Sequence, residues 1–210
     1  MPLHHFTDRR IVQLLSTQTR RVDLSPRELA LSHAALGRFL AGEVLEHFSL
    51  EEREIAHPQG VRVGMRIKDE HRVALVALLR AGLYAGDGFR DVFASAPLLL
   101  AHSSREHGLA AIDLNTLLKL GIRSCIVIDS VVNTGRSIEP VLKQLDAIGI
   151  EAIVAALVVP RETAERLEQS WPEVHFYFGR VSDNKYVGRG KTDTGHRLFG
   201  TADAEEQGAP

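Results

Sequence analysis

CIVIDSVVNTGRSIEP, residues 125–140, carries the passage from strand to helix on which the reading of the fold turns. Cys125 to Ile128 are apolar without alternation, as in a strand covered on both faces. Asp129 breaks the run, and two further apolar residues, Val131 and Val132, follow Ser130. Then come Asn133-Thr134-Gly135-Arg136-Ser137, all small or polar except the arginine. Beyond them Ile138, Val141, Leu142 and Leu145 share one helical face. A buried strand therefore delivers a carboxylate and a glycine-containing turn to the start of a helix.

The same alternation extends in both directions. VALVALL (73–79), LLLA (98–101), IRSCIVI (122–128) and IVAALVV (153–159) are short apolar runs, and VHFYF (174–178) closes the series. Helical stretches are predicted around 83–93 and 161–170. Strands alternating with helices imply an α/β domain, a parallel sheet flanked by helices on both faces. Upstream, residues 25–46 predict a helix. Ser25 and Glu28 form a capping box, Pro26 suits the first turn, and Leu29, Leu36, Leu40 and Val44 lie on one face. GVRVGMRI (60–67) alternates, which predicts a half-buried strand and one arm of a hairpin. The chain reads as a single domain over 1–210. Its core spans about 71–179, and smaller elements come from about 1–70 and 180–201.

Composition excludes several function classes. A formal net charge of -2 gives no electrostatic case for nucleic acid or an acidic membrane. The single cysteine, Cys125, cannot form an intrachain disulfide, and its apolar neighbours make it a structural thiol. No stretch approaches the roughly 20 apolar residues of a membrane span, and MPLHHFTDRRIVQLL carries no apolar signal segment. A cytoplasmic protein is expected.

Ligands of such sheets sit at the carboxyl ends of the strands. That directs attention to LRAG (79–82), HSSREHG (102–108), DSVVNTGRS (129–137) and YVGRGKTDTGHRLFGT (186–201). The first amides of a helix lack internal partners and carry the positive end of its dipole. A turn offering the Thr134 and Ser137 hydroxyls, with amides at Gly135 and Arg136, is a phosphate cradle. The plainer account is a strand–turn–helix with Thr or Ser as cap. No Walker A spacing is present, and GRGKTD (188–193) is not a dinucleotide fingerprint.

With these segments in view, DSVVNTGRS resembles the phosphoribosyl-pyrophosphate (PRPP) signature of the type I phosphoribosyltransferases. Most of that superfamily has two adjacent acids; here the second place is Ser130. The uracil phosphoribosyltransferases, with Asp-Pro and a loop like Ala-Thr-Gly-Gly-Ser, are more similar. LLRAGLYAGDG (78–88) resembles their Leu-Arg-Ala-Gly-Leu segment, and HSSRE (102–106) falls where they have a mobile loop. YVGRGKTDTGHRLFGT resembles their base-binding segment, which ends in Phe-Gly-Thr. The likeness runs from about residue 6 to 201.

The resemblance implies a core domain with a small hood and a β-arm, and a homodimer or higher homo-oligomer. It implies transfer of the 5-phosphoribosyl group from PRPP to uracil or a related heterocycle, releasing pyrophosphate, as in UMP formation by pyrimidine salvage. Arg80, Ala81 and Gly82 would hold pyrophosphate, with Arg105 closing over it. Asp129 would bind the ribose hydroxyls. Val132, Asn133, Thr134, Gly135, Arg136 and Ser137 would cradle the 5′-phosphate. Tyr186, Val187 and Thr192 would flank the base, and Asp193 the ribose and hydrated Mg²⁺. Arg80, Asp129 and Asp193 would be the catalytic set. Mg²⁺ would be held mainly through pyrophosphate and water.

The base loop departs from the family. Where Ile-Pro-Gly-Leu-Gly-Asp is usual, this chain has Val187-Gly188-Arg189-Gly190-Lys191-Thr192-Asp193. A proline becomes Arg189 and a glycine becomes Thr192, which changes the loop's shape or fills it. Arg136 likewise replaces a glycine of the phosphate loop. Uracil is therefore expected to be accepted less well than by a typical member. A non-catalytic PRPP or nucleotide sensor, or a transferase for a different base, are the alternative readings.

Overall fold

In the computed structural model, which describes residues 3–102, 108–184, 186, 188 and 190–201, the apolar runs become the strands of one sheet. In chain order the elements are β1 (Leu3–His5), α1 (Arg10–Arg20), α2 (Pro26–Leu45), β2 (Leu50–His57) and β3 (Gly60–Ile67). Then follow β4 (Val73–Leu78), α3 (Gly82–Arg90), β5 (Leu98–Ala101), α4 (Ala111–Lys119) and β6 (Ser124–Val131). The chain continues with α5 (Glu139–Ala147), β7 (Glu151–Pro160), α6 (Arg161–Ser170), β8 (His175–Ser182) and α7 (Thr194–Leu198).

Six strands form a parallel sheet in the order β1-β8-β7-β6-β4-β5. All six residues of β4 are buried. Strand periodicity divides them between two cores. Ala74, Val76 and Leu78 join Val127 and Val154 under α4, α5 and α6, through Leu117, Leu142 and Leu167. Val73 and Leu75 join Ile126 and Ile128 under α2 and α3, through Leu36, Leu40 and Phe89. Helices thus cover both faces, as the continuous apolar runs require. Cys125 is wholly buried, and burial pushes its thiol up to about 12.

The α2 start is as predicted. Ser25 Oγ accepts the Glu28 amide at 3.3 Å, and Glu28 Oε2 accepts the Ser25 amide at 2.9 Å. The hairpin differs from expectation. β3 pairs antiparallel with β2, but it is not half-buried: Val61, Val63 and Met65 are all exposed. Its alternation places an apolar row on one side without a core beneath it. Five elements had no clear sequence signal. β1 is three residues long, and β2 (LEEREIAH) is too acidic for an apolar pattern. α1 buries only Val12 and Ser16, α4 only Leu117, and α7 has five residues.

One buried polar contact fixes α2 to the strand ends. His33 sits on the apolar face of α2 and is 3% exposed. Its Nδ1 lies 2.9 Å from Ser130 Oγ, and that hydroxyl donates to the Ala81 carbonyl at 2.6 Å. Because the hydroxyl proton goes to Ala81, the His33 Nδ1–H must be the donor to Ser130. Burial, reinforced by the Arg197 charge, pushes His33 down to about 4, so the ring is neutral.

This neutrality has a pH consequence. The folded value lies below the ordinary 6.5, so the unfolded chain binds the extra proton first. The contribution is complete above pH 6.5 and is lost as pH falls toward 4. We predict that wild type loses about 3 kcal/mol relative to His33→Gln between pH 7 and pH 4. Denaturant titrations of both proteins across that range measure it; a pH-independent difference would show that His33 is not buried as a neutral ring.

Candidate functional site

The carboxyl ends of β4 and β6 open into a cleft of about 450 Å³. Its walls bring together Arg80 and Ala81 after β4, Asp129 on β6, and Val132 to Ser137 in the turn beyond. Tyr186 and Asp193 of the tail face the same space. Segments up to 113 residues apart in sequence thus converge, and most of the predicted site residues are among them.

The turn lines the cleft along its whole length. Gly135 adopts φ +70°, a left-handed conformation that glycine reaches without a Cβ penalty. A Cβ there would also lie 2.9 Å from Arg166 Nη2. The carbonyls are held from behind. Thr163 Oγ1 donates to Asn133 O at 2.7 Å, and Arg166 Nη2 donates to Thr134 O at 2.8 Å. Arg166 is itself held by Glu139 Oε1 at 2.5 Å. Among the described residues, the amides of Thr134, Gly135 and Arg136 have no partner within the fold. The helix proper begins at Glu139, with Ile138 as its cap residue; the Ile138 and Glu139 amides both donate to Gly135 O. The cradle is therefore the turn itself rather than the first turn of α5.

Asp129, near the carboxyl end of β6 and just before the wholly buried Ser130, lines the cleft wall. Its Oδ1 accepts the Ser130 amide at 2.7 Å. Burial pushes the carboxyl up to about 7, against the pull of the Ser130 and Val131 amides. Gly82 lies behind the wall rather than on it. A Cβ there would approach the Ile128 carbonyl to 2.6 Å, so its absence lets α3 start against β6. The adjoining Leu79–Arg80 peptide is cis. The Arg80 guanidinium lies 6.0 Å from the Phe199 ring centroid, at the outer range of a cation–π attraction.

The tail closes the opposite wall. Asp193 lines the cleft and also caps α7, its Oδ1 accepting the His196 amide at 2.8 Å. The Tyr186 hydroxyl donates to Thr192 O at 2.8 Å and accepts the Thr194 amide at 2.7 Å. Asn133 Nδ2 donates to Tyr186 O at 3.1 Å, tying the tail to the turn. Thr192 is not on the cleft wall; it lines a neighbouring cavity of about 290 Å³. Arg105, Val187 and Arg189 lie outside the described residues. Sequence reasoning did not reach Val131, Thr194 and Gly195 in the wall, nor His33 and Ser130 behind it. A histidine at a core position between Leu29 and Leu36 was the available signal for His33.

With this geometry in place, comparison with known proteins gives a consistent result. The family model for uracil phosphoribosyltransferase matches residues 6–201. The uracil phosphoribosyltransferase of Dictyoglomus thermophilum is 30% identical over 202 residues, covering 92% of this chain and 97% of that protein. That of Staphylococcus aureus is 27% identical, covering 94% and 98%. A solved structure of an Aquifex aeolicus protein superposes with a TM-score of 0.70 at 21% identity, covering 92% of this chain and 96% of that one, and supports the fold. The match extends over both walls of the cleft and every strand but the first, and the chain belongs to the uracil phosphoribosyltransferase family.

Proposed function

We propose that the protein transfers the 5-phosphoribosyl group from PRPP to a ring nitrogen of uracil or a related heterocycle. The observation that carries this reading is the convergence of the amide-lined turn, Asp129 and Arg80 on one cleft. Each meets a different part of PRPP. The free amides of Thr134, Gly135 and Arg136 suit the 5′-phosphate. Asp129 suits two ribose hydroxyls. Arg80 offers paired donors to pyrophosphate oxygens, with Ala81 beside it.

In the reaction the C1–O bond to pyrophosphate breaks, the leaving group takes the electron pair, and a C1–N bond forms to the base. The ring nitrogen's proton is released. Positive charge grows on the ribose and negative charge on the leaving oxygen. Ionised Asp129 stabilises the first and Arg80 the second, from positions fixed before substrate arrives. Hydroxyl donation by bound ribose favours the ionised carboxylate that burial alone opposes. Mg²⁺ would neutralise pyrophosphate charge. Asp129 and Asp193, the carboxylates on the cleft wall among the described residues, fit contact with its bound water.

We also infer a homodimer through the β2–β3 hairpin, where Ile55, Val61, Val63 and Met65 are exposed. A monodisperse monomer at micromolar concentration would overturn that part. No helix among the described residues is long and apolar enough to cross a membrane. The reading places UMP-forming salvage chemistry in the cytoplasm.

Two substitutions test the assignment. Asp129→Asn should reduce turnover by about a hundredfold or more, because the charge facing the ribose is lost. The same variant should be more stable at alkaline pH. The folded value of Asp129 is raised above the unfolded 3.8, so its ionisation opposes folding increasingly as pH rises to about 7. With about 4 kcal/mol at stake, and about 2–4 °C per kcal/mol for a chain of this size, we expect Tm at pH 8 to rise by about 10 °C. Wild-type turnover in this variant would make Asp129 structural. Gly135→Ala should raise the KM for PRPP by about tenfold or more, since the turn must distort. Pyrophosphate release with PRPP, Mg²⁺ and a panel of bases reads both. PRPP binding without release from any base would favour a sensor.

A further inference from the structure

The cavity beside the cleft has a composition that unsubstituted uracil does not explain. It shares Val131, Tyr186 and Thr194 with the cleft wall, so the two spaces meet at the Tyr186 ring. One part of its lining is apolar, from Val22, Leu157 and Val158. The rest carries Arg20, Arg180, Lys191 and Arg197, and no acidic residue is among the described residues that line it. A third space of about 250 Å³ continues past Arg20 and Arg180, again without an acid in its lining.

Two of its polar groups lack partners. Arg180, near the carboxyl end of β8, is half-buried and has no ion pair or side-chain hydrogen bond among the described residues. Burial and the adjacent Arg20 charge both pull its guanidinium below the ordinary value, with no carboxylate acting the other way. Ser16 on α1 is 2% exposed, and its Oγ has no hydrogen-bond partner. Buried cations and hydroxyls are normally satisfied, so such a set implies a ligand that supplies acceptors. The 5′-phosphate is not that ligand, because its cradle lies in the other space. His33, whose Nδ1–H is already given to Ser130, adds a bare Nε2 acceptor to the same lining.

We propose that this cavity is a base-side subsite and that the acceptor is a heterocycle carrying an anionic substituent, most simply a carboxylate. Its ring lies on the Val131–Tyr186 wall shared with the cleft, and its anionic group meets Arg180, Arg20 and Ser16. The proposal rests on the transfer reading for its orientation toward ribose. It also accounts for a base loop that departs from the uracil pattern at Thr192, which lines this cavity rather than the cleft.

The test is calorimetric titration of the full chain, in the presence of Mg²⁺ and PRPP or pyrophosphate, with uracil and with uracil carrying a carboxylate at C5 or at C6. One of the acids should bind about tenfold or more tightly than uracil, as expected when buried donors are left unmet by the neutral ring. Arg180→Gln should shrink that margin to below about threefold while PRPP binding persists, which shows that the variant is folded. Arg20→Gln, at the exposed end of α1, provides the same comparison if Arg180→Gln does not fold. Equal binding of acids and uracil overturns the proposal, as does a margin that survives both variants. Binding of inorganic phosphate without preference for the acids marks a separate anion site and also overturns it. Failure of the transfer reading is distinct: the margin and its loss in Arg180→Gln remain, but pyrophosphate is released with no base.

Discussion

The Ser130 hydroxyl has no contact with solvent, so its hydrogen bonds must be completed inside the fold. It does so by reaching in two directions, to Ala81 O on one strand end and to His33 on α2. That one atom links the loop after β4, the strand that carries Asp129, and α2. Removing any partner would leave a buried polar group unmet, at about 1–3 kcal/mol. With a serine after Asp129 rather than a second acid, an uncharged group ties the strand ends together. The carboxylate that remains, Asp129, has no second charge next to it in sequence and is raised by burial instead.

The site shows how precision is obtained from short segments. The 133–137 turn has no regular structure, yet its Asn133 and Thr134 carbonyls are taken by Thr163 and Arg166 of the neighbouring helix. With these acceptors held, the amides of Thr134, Gly135 and Arg136 are left without partners among the described residues. The tail is organised similarly, with the Tyr186 phenol joining Thr192 and Thr194. Loops carry the chemistry, and rigid elements hold the loops.

The core strands and most of the cleft were legible because their residues obey local rules. Continuous apolar runs of strand length such as VALVALL, alternating with helical patterns, fit strands buried on both faces, and Gly135 stands where a left-handed turn is needed. The Asp129 and Thr134–Ser137 positions follow from the carboxyl-end rule for parallel sheets. What was not legible depended on tertiary structure. β1 is defined only by its partner β8, and nothing near His33 in sequence names Ser130, 97 residues away, as its partner. Arg20 and Arg180 are 160 residues apart, and nothing local to either announces a shared cavity. The hairpin misled for the converse reason: alternation reports a two-faced strand but not whether anything packs on its apolar face.

The lengths of the strands have a consequence for how the sheet meets other chains. Its two borders are its two shortest strands, β1 with three residues and β5 with four. An intruding strand would find few open amides and carbonyls there. The long unpaired borders lie instead on β2 and β3, eight residues each. Those carry Glu51, Glu52, Arg53 and Glu54 on one side and Arg62 and Arg66 on the other. Such charges oppose indiscriminate strand addition while permitting a partner of matching pattern. Resistance to aggregation is thereby built into where the sheet stops, and the hairpin is left as the border at which association can be selective.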